Sequence, residues 1–176
     1  MSNLIGTYKY SSTEIKGYNM SRIAKTEKND CFVRALAAAT NMNYDTIHTF
    51  VKDNFGRKKG QGTKNILIKT QMMKYEEEGM QVGDNEFKVT VLPTRRITNQ
   101  YKLHGELINR KKTVKSFIKD NPQGTYIVGV AGHAFTVKDG VLIDNVGEEF
   151  RPTRKVDGAY KVAVTKLTEA QLTFNF

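Results

Sequence analysis

The sequence of 176 residues has one cysteine, three prolines and no tryptophan. A single cysteine excludes an internal disulfide framework and is typical of a reducing compartment. No stretch approaches the roughly 20 apolar residues of a membrane-spanning helix, and the first residues lack the apolar core of a secretory signal. These absences predict a cytoplasmic protein without membrane association.

Basic residues are in excess, since the chain has 28 Lys and Arg but 18 Asp and Glu, a formal net charge of +10. Such an excess suits an acidic partner, either nucleic acid or an acidic protein. The basic clusters are scattered among predicted loops and lack interleaved aromatic residues, so a solvated surface is the favoured interpretation. The clusters are Arg57-Lys58-Lys59, Arg95-Arg96, Arg110-Lys111-Lys112 and Arg154-Lys155.

The first half of the chain has the apolar spacing of helices, and a helical part is predicted at about residues 20–80. Asp30 is a good N-cap for a helix over residues 31–40, which are rich in alanine. Further helices are predicted over residues 44–54 and 63–79. The side chains of the last of these that are predicted to face the core are Ile66, Leu67, Thr70 and Met73.

The second half alternates apolar and polar residues, which predicts a sheet part at about residues 85–170. The predicted strands lie at 86–92, within 125–144 on both sides of an Asp139-Gly140 turn, and at 159–167. A short helix beginning at Thr113 separates the first strand from the others. Helices followed by a mainly antiparallel sheet predict an α+β fold with one core, in a single domain over residues 1–176.

The only cysteine, Cys31, lies in the first turn of the predicted helix 31–40. There the unsatisfied backbone N–H groups and the positive end of the helix dipole favour a thiolate. This position suits a nucleophile, whereas the alternative interpretation is a small buried hydrophobic residue. A histidine that reaches the sulfur in the fold would decide in favour of chemistry.

Of the three histidines, His133 best fits the part of a base. It begins a predicted strand, and the turn at Asp139-Gly140 folds the next strand back, so that Asp144 or Asn145 comes near the ring. Either side chain could orient the imidazole. Of the other two histidines, His48 is interpreted as a structural residue inside a helix and His104 as an ordinary loop or strand residue.

The order Cys, His, Asp or Asn, with the cysteine at a helix start and the histidine on a strand, resembles the papain-like cysteine peptidase fold. Two blocks, "NDCFVRALAAATNMNYDTIHTF" and "GTYIVGVAGHAFTVKDGVLID", are similar to small, mostly uncharacterised papain-like proteins of bacteriophages and bacteria. The resemblance implies a papain-like domain in a bacterial cell or a phage-infected host. It assigns Cys31 as nucleophile, His133 as base and Asp144 as the orienting group, with Asn145 as the weaker alternative.

The sequence departs from the papain-like pattern ahead of the cysteine. Papain-like enzymes usually place an oxyanion-hole glutamine several residues upstream, but the sixth residue before Cys31 is Lys25. Asn29 is a candidate for the missing donor, together with the Cys31 backbone N–H, or is alternatively part of the helix cap. Arg34, one turn beyond the cysteine, is interpreted as the partner of a surface acid rather than as support for the thiolate.

Two functions are compatible with these patterns. The first is a thiol hydrolase or acyl-transfer enzyme that acts on a peptide or isopeptide bond of a protein or peptide substrate, without cofactor. No metal is expected, because one cysteine and three scattered histidines lack the spacing of metal ligands. The second is a non-catalytic papain-like protein whose basic surface binds nucleic acid or an acidic host protein. The order of Cys, His and Asp favours the enzyme, while the missing glutamine and the positive charge favour the binding protein.

Overall fold

A computed structural model of the chain describes residues 9–10, 15–144 and 151–166. A short 3-10 turn at Tyr18–Met20 precedes the first helix. The α-helices in the described ranges are α1 (Arg22–Thr26), α2 (Cys31–Thr40), α3 (Tyr44–Phe55), α4 (Asn65–Glu78), α5 (Thr94–Ile97) and α6 (Val114–Asp120). The three longer predicted helices are therefore confirmed. No helix in these ranges has the length and apolar character needed to cross a membrane.

The described strands are β1 (Lys9–Tyr10), β2 (Met80–Val82), β3 (Asn85–Val91), β4 (Thr98–Leu103), β5 (Glu106–Lys111), β6 (Thr125–Val130), β7 (His133–Lys138), β8 (Val141–Asp144) and β9 (Val156–Lys166). Seven of them form one sheet in the order β1-β8-β7-β6-β9-β3-β2. Every neighbouring pair in it is antiparallel except β1 with β8, which is parallel. The prediction of an α+β fold with a mainly antiparallel sheet is confirmed.

The sheet is covered on both faces, so the expectation of one core is wrong for the described residues. Alternate residues of the central strands point to opposite sides, with Ile127 and Ala134 in one apolar cluster and Val128 and Phe135 in the other. The first cluster packs beneath α2, α3 and α4, and the second contains Phe117 of α6. Burial of both faces explains why the β6 sequence is almost continuously apolar.

Helix α4 turns a different face to the core than its sequence predicts. The side chains predicted to be buried, namely Ile66, Leu67, Thr70 and Met73, are exposed. Ile68, Met72 and Tyr75 are buried instead, and they follow one another at spacings of four and three residues. Apolar residues occupy two faces of this helix, so periodicity alone could not select the one that packs on the sheet.

A separate two-stranded hairpin of β4 and β5 was missed by the sequence analysis. His104 and Gly105 form its turn with φ angles of 50° and 86°, and His104 is exposed, as expected for a loop residue. Such a pair of left-handed residues suits the tight turn of a hairpin. The signal that could have found it is the alternation in "TNQYKL" before the turn.

Candidate active site

Cys31 is the first residue of α2, and this helix lies across β7. The Thr136 hydroxyl of β7 donates a hydrogen bond to the carbonyl of Ala35, with an O–O distance of 2.6 Å, in the buried interface between the two elements. The thiol side chain is half-buried and remains reachable from solvent. This packing sets the start of α2 beside the first residue of β7, which is His133.

Asp30 occupies the N-cap position of α2, as predicted, but its side chain does not cap the helix. Its buried carboxylate accepts hydrogen bonds from Arg34 Nε at 2.9 Å and from the Tyr44 hydroxyl at 2.6 Å. Arg34 also lies over the Tyr18 ring, 4.5 Å from its centre. Arg34 therefore pairs with an acid, as interpreted, but this acid is buried and not on the surface. The Asp30 carboxylate leaves the first N–H groups of the helix to the sulfur.

His133 and Asp144 are paired across the β7–β8 hairpin, whose turn is Asp139-Gly140 as predicted. The Nε2 atom of His133 lies 2.9 Å from Oδ1 and 2.7 Å from Oδ2 of Asp144. A carboxylate oxygen only accepts, so Nε2 carries the proton in this contact. Both side chains are largely buried, which shields the pair from water. Asn145, the alternative orienting residue, lies outside the described residues.

The His133 ring also contacts the Cys31 thiol, and because Nε2 faces Asp144, Nδ1 is the nitrogen left for the sulfur. Burial by itself raises the pKa of Cys31, but hydrogen bonds from the His133 ring and from the backbone N–H groups of Ala134 and Phe32 lower it below its usual value. Burial likewise opposes a charged ring, yet the hydrogen bonds to Asp144 and Cys31 raise the pKa of His133 to about 9. The two shifts favour a thiolate–imidazolium pair at neutral pH.

Asn29 precedes this pair in a left-handed conformation, with φ of 55°. Its side-chain amide donates a hydrogen bond to the carbonyl of Gly60 at 3.1 Å, so it does not cap α2. Asn29 lines the same cleft as the sulfur. Its part as an oxyanion donor stays a prediction.

Glu27 belongs to a buried cluster that sequence reasoning missed. Its carboxylate lies 3.1 Å from Arg57 Nη2 and 2.8 Å from His48 Nε2, and it accepts hydrogen bonds from the backbone N–H groups of Gly60 and Lys28. The hydrogen bond from Arg57, followed by those from Gly60 and His48, holds the pKa of Glu27 well below its usual range, although burial opposes this shift. The cluster joins the segment before the nucleophile to the loop between α3 and α4.

The burial of Arg57 corrects the interpretation of the first basic cluster as a solvated surface. Its side chain is 1% exposed and bonded to Glu27, whereas Lys58 and Lys59 beside it are exposed. Lys112 is also buried and lies 2.6 Å from Asp120. Part of the positive charge is therefore internal, where it cannot contact a partner. The hydrogen bond of the His48 ring with the buried Glu27 carboxylate agrees with the interpretation of His48 as a structural residue.

An open cleft of about 620 Å³ exposes the sulfur and the ring. The start of α2, the segment before it and the residues around His133 form one part of it, and the loop between α3 and α4 forms the other part together with Asn65 and Ile68 of α4. The hydroxyl oxygen of Thr63, in that second part, is buried without a hydrogen-bond partner. The cleft has room for a segment of polypeptide beside the thiol.

Comparisons with protein-family models, with curated proteins and with solved structures find no match to this chain. Within the described residues, no three side chains of His, Cys, Asp or Glu come together as they would to hold a metal ion. The reactive side chains that the site brings together are Cys31, His133 and Asp144.

Alkylation of Cys31 by iodoacetamide is expected to slow less steeply than that of a free thiol as the pH falls from about 8 to about 6.5. The lowered pKa of Cys31 leaves a larger fraction of the sulfur ionised in this range than in a free thiol, and the ring stays protonated below its pKa of about 9. An unperturbed thiol, with a pKa near 8.5, slows by roughly tenfold for each pH unit below that value. The rate is measured against pH by intact mass, with N-acetylcysteine as the reference. A profile parallel to the reference would contradict the ion pair.

Proposed function

We propose that this chain is a papain-like thiol hydrolase or acyl-transfer enzyme that acts on a peptide or isopeptide bond. The observation that carries the proposal is the position of the His133 ring, which contacts the Cys31 thiol and hydrogen-bonds Asp144 at the same time. A nucleophile, a base and a group that orients the base are the three parts needed for acyl transfer through cysteine. A cysteine at the start of a helix that packs on a mainly antiparallel sheet is the arrangement expected of a papain-like enzyme, and it supports the proposal.

The reaction begins with attack of the Cys31 thiolate on the substrate carbonyl carbon. The carbon–nitrogen bond then breaks, and the imidazolium of His133 gives its proton to the leaving amine, so that a thioester forms on the sulfur. Water next loses a proton to His133 and attacks the thioester, and breaking of the carbon–sulfur bond releases the acid and restores the Cys31 thiolate beside the protonated ring. An amine in place of water yields an acyl-transfer product, and attack on a side-chain amide gives deamidation or transglutamination by the same steps.

The negative charge that develops on the carbonyl oxygen needs hydrogen-bond donors. The backbone N–H of Cys31 is one candidate, and the side-chain amide of Asn29 is the other, since one of its two N–H groups is available beyond the bond to Gly60. Removal of a single donor of this kind typically lowers the rate by about 10²–10³. In this proposal the Asn29 side-chain amide, held in place by its hydrogen bond to Gly60, is the oxyanion donor that a glutamine provides in papain-like enzymes.

The acyl-enzyme route is tested with p-nitrophenyl acetate, whose activated ester needs no specific binding. One acetyl group per chain is expected on Cys31, with a matching burst of p-nitrophenolate. Cys31→Ser should abolish the burst and the adduct while the protein melts near the wild-type temperature, because a hydroxyl is a poor nucleophile here. Asp144→Ala should slow the burst less than His133→Ala, because Asp144 positions the base and does not itself transfer the proton.

The same three variants also provide the results that would contradict the acyl-enzyme route. An adduct that persists in Cys31→Ser would place the acylated group elsewhere. A Cys31→Ser protein destabilised by about 1–3 kcal/mol, together with wild-type bursts in the other two variants, would make Cys31 a structural residue.

A further inference from the structure

A small apolar pocket opens beside the cleft that holds Cys31 and His133. Its cavity volume is about 120 Å³. The residues that form its walls and floor include Phe32, Ile68, Ile127, Tyr160, Gly129 and Gly158. Two of these, Phe32 and Ile68, also line the cleft, so the pocket and the cleft adjoin.

Two glycines create the space. Gly129 of β6 and Gly158 of β9 are cross-strand partners, so the faces of both strands lack a side chain at the same place. Neither glycine has a positive φ, and therefore the backbone conformation does not require glycine at either position.

Neighbouring atoms do not require these glycines either. A Cβ atom at Gly129 would lie 3.8 Å from the Gly158 carbonyl oxygen, and one at Gly158 would lie 3.6 Å from the Tyr160 hydroxyl, which are ordinary contacts. Glycine weakens the interior of a strand, so this pair lowers the stability of the sheet without relieving a clash or a strained turn. What the pair contributes is the pocket.

We propose that this pocket takes an apolar side chain of the substrate, from a residue within a few positions of the bond that Cys31 attacks. This inference rests on the proposed function. Cys31 precedes Phe32 in the chain and His133 precedes Ala134, and both of those neighbours line the pocket, so it opens next to the reacting atoms. Asn65, Lys69 and Asp157 also line it, and they are the polar part of an otherwise largely apolar lining.

The volume limits which side chain fits. A cavity of about 150 Å³ lined by apolar side chains accepts a molecule as large as benzene, so a pocket of about 120 Å³ suits leucine or methionine and not tryptophan. A charged side chain is disfavoured because it would lose its hydration among the apolar walls. The substrate class is therefore a polypeptide with a medium-sized aliphatic residue near the cleaved or transferred bond.

The test uses N-acetyl tripeptide vinyl sulfones, which add to the thiolate of Cys31 without turnover. One probe has three alanines, three probes have a single leucine at each position in turn, and further probes carry Trp, Lys or Glu at the preferred position. One leucine probe is expected to alkylate Cys31 on the order of 10- to 200-fold faster than the alanine probe. Trp, Lys and Glu at that position should bring the rate back to that of alanine.

Substitutions at the glycine pair identify the pocket. Gly129→Val and Gly158→Val place methyl groups into it, so the ratio of the leucine rate to the alanine rate should fall to about two or less. Gly129→Ala and Gly158→Ala, which add only the Cβ atom, should give intermediate ratios and serve if a valine variant does not fold. Ala163→Val, at an exposed position of β9 outside the pocket, is the matched control and should keep the wild-type ratio.

The outcomes separate the two proposals. Fast alkylation by iodoacetamide, combined with equal rates for leucine and alanine probes, overturns the pocket and leaves the proposed function standing. A leucine preference that survives in all four glycine variants also overturns the pocket. A thiol that neither iodoacetamide nor any peptide probe labels overturns the proposed function, and the pocket proposal with it.

Discussion

Replacing His133 with alanine is expected to slow the alkylation of Cys31 at neutral pH by about tenfold or more. The ring is the main group that lowers the pKa of this half-buried thiol, and without it the effect of burial, which raises the pKa, is opposed only by the backbone N–H groups of Ala134 and Phe32. A cysteine without activation is only a few per cent ionised near pH 7. The measurement is the second-order rate with iodoacetamide, followed by intact mass.

A pH series shows whether the slower alkylation of His133→Ala comes from reduced ionisation of the Cys31 thiol. As the pH rises past about 9, a growing fraction of the thiol ionises without the ring, so the rate of His133→Ala should climb toward that of the wild type. His104→Asn is the matched control, because it also removes a histidine but at an exposed turn, where asparagine tolerates the left-handed conformation. A rate of His133→Ala that does not rise at all with pH would mean that the substitution blocks access to the sulfur. An unchanged alkylation rate of His133→Ala at neutral pH would mean that the His133 ring does not activate the thiol.

The proximity of His133 and Asp144 could be predicted because it depends on short-range geometry. A tight turn at Asp139-Gly140 joins two strands with nearly matched arms, and the ends of such a hairpin come together in any fold that contains it. The position of Cys31 at a helix start is also local, since it follows from Asp30 and the alanine-rich run behind it. The contact between Cys31 and His133 is not local, and from the sequence it could be predicted only through the resemblance to papain-like proteins.

The face of α4 could not be predicted for a physical reason. Ile66, Leu67 and Met73 stay exposed while Ile68 and Met72 pack on the sheet, although all five are apolar. The choice depends on where β3 lies, which is a tertiary property. The same holds for the pocket, because Gly129 and Gly158 meet only through the register of β6 with β9.

The Glu27 cluster was missed because its partners are distant along the chain. His48 and Gly60 lie 21 and 33 residues from Glu27, and no spacing rule links a carboxylate to an arginine in a loop. The run Arg57-Lys58-Lys59 is typical of a solvated surface, and only Arg57 departs from that pattern. A buried ion pair can be recognised only when the fold has placed both charges away from water.

Replacing Glu27 with alanine is expected to lower the free energy of unfolding by about 3–5 kcal/mol. The substitution leaves the Arg57 side chain, which is 1% exposed, as an unpaired buried charge, and it removes the acceptor for the backbone N–H of Gly60. In a protein of this size, 1 kcal/mol shifts the melting temperature by about 2–4 °C, so a fall of roughly 6–20 °C is expected. Thermal melts and urea unfolding measure it.

Two further variants separate the buried charge from the loss of a side chain. Glu27→Gln keeps an acceptor for Gly60 but not the charge, so its loss of stability should lie between those of the wild type and of Glu27→Ala. Glu78→Ala breaks the pair with Lys74, whose side chains are 60% and 55% exposed, and should cost about 1 kcal/mol or less. Equal losses of stability in Glu27→Ala and Glu78→Ala would mean that the Glu27 cluster does not hold the loop between α3 and α4 in place. If the cluster does hold that loop, folded Glu27→Ala should also acylate more slowly, because Gly60 no longer fixes the Asn29 amide near the sulfur.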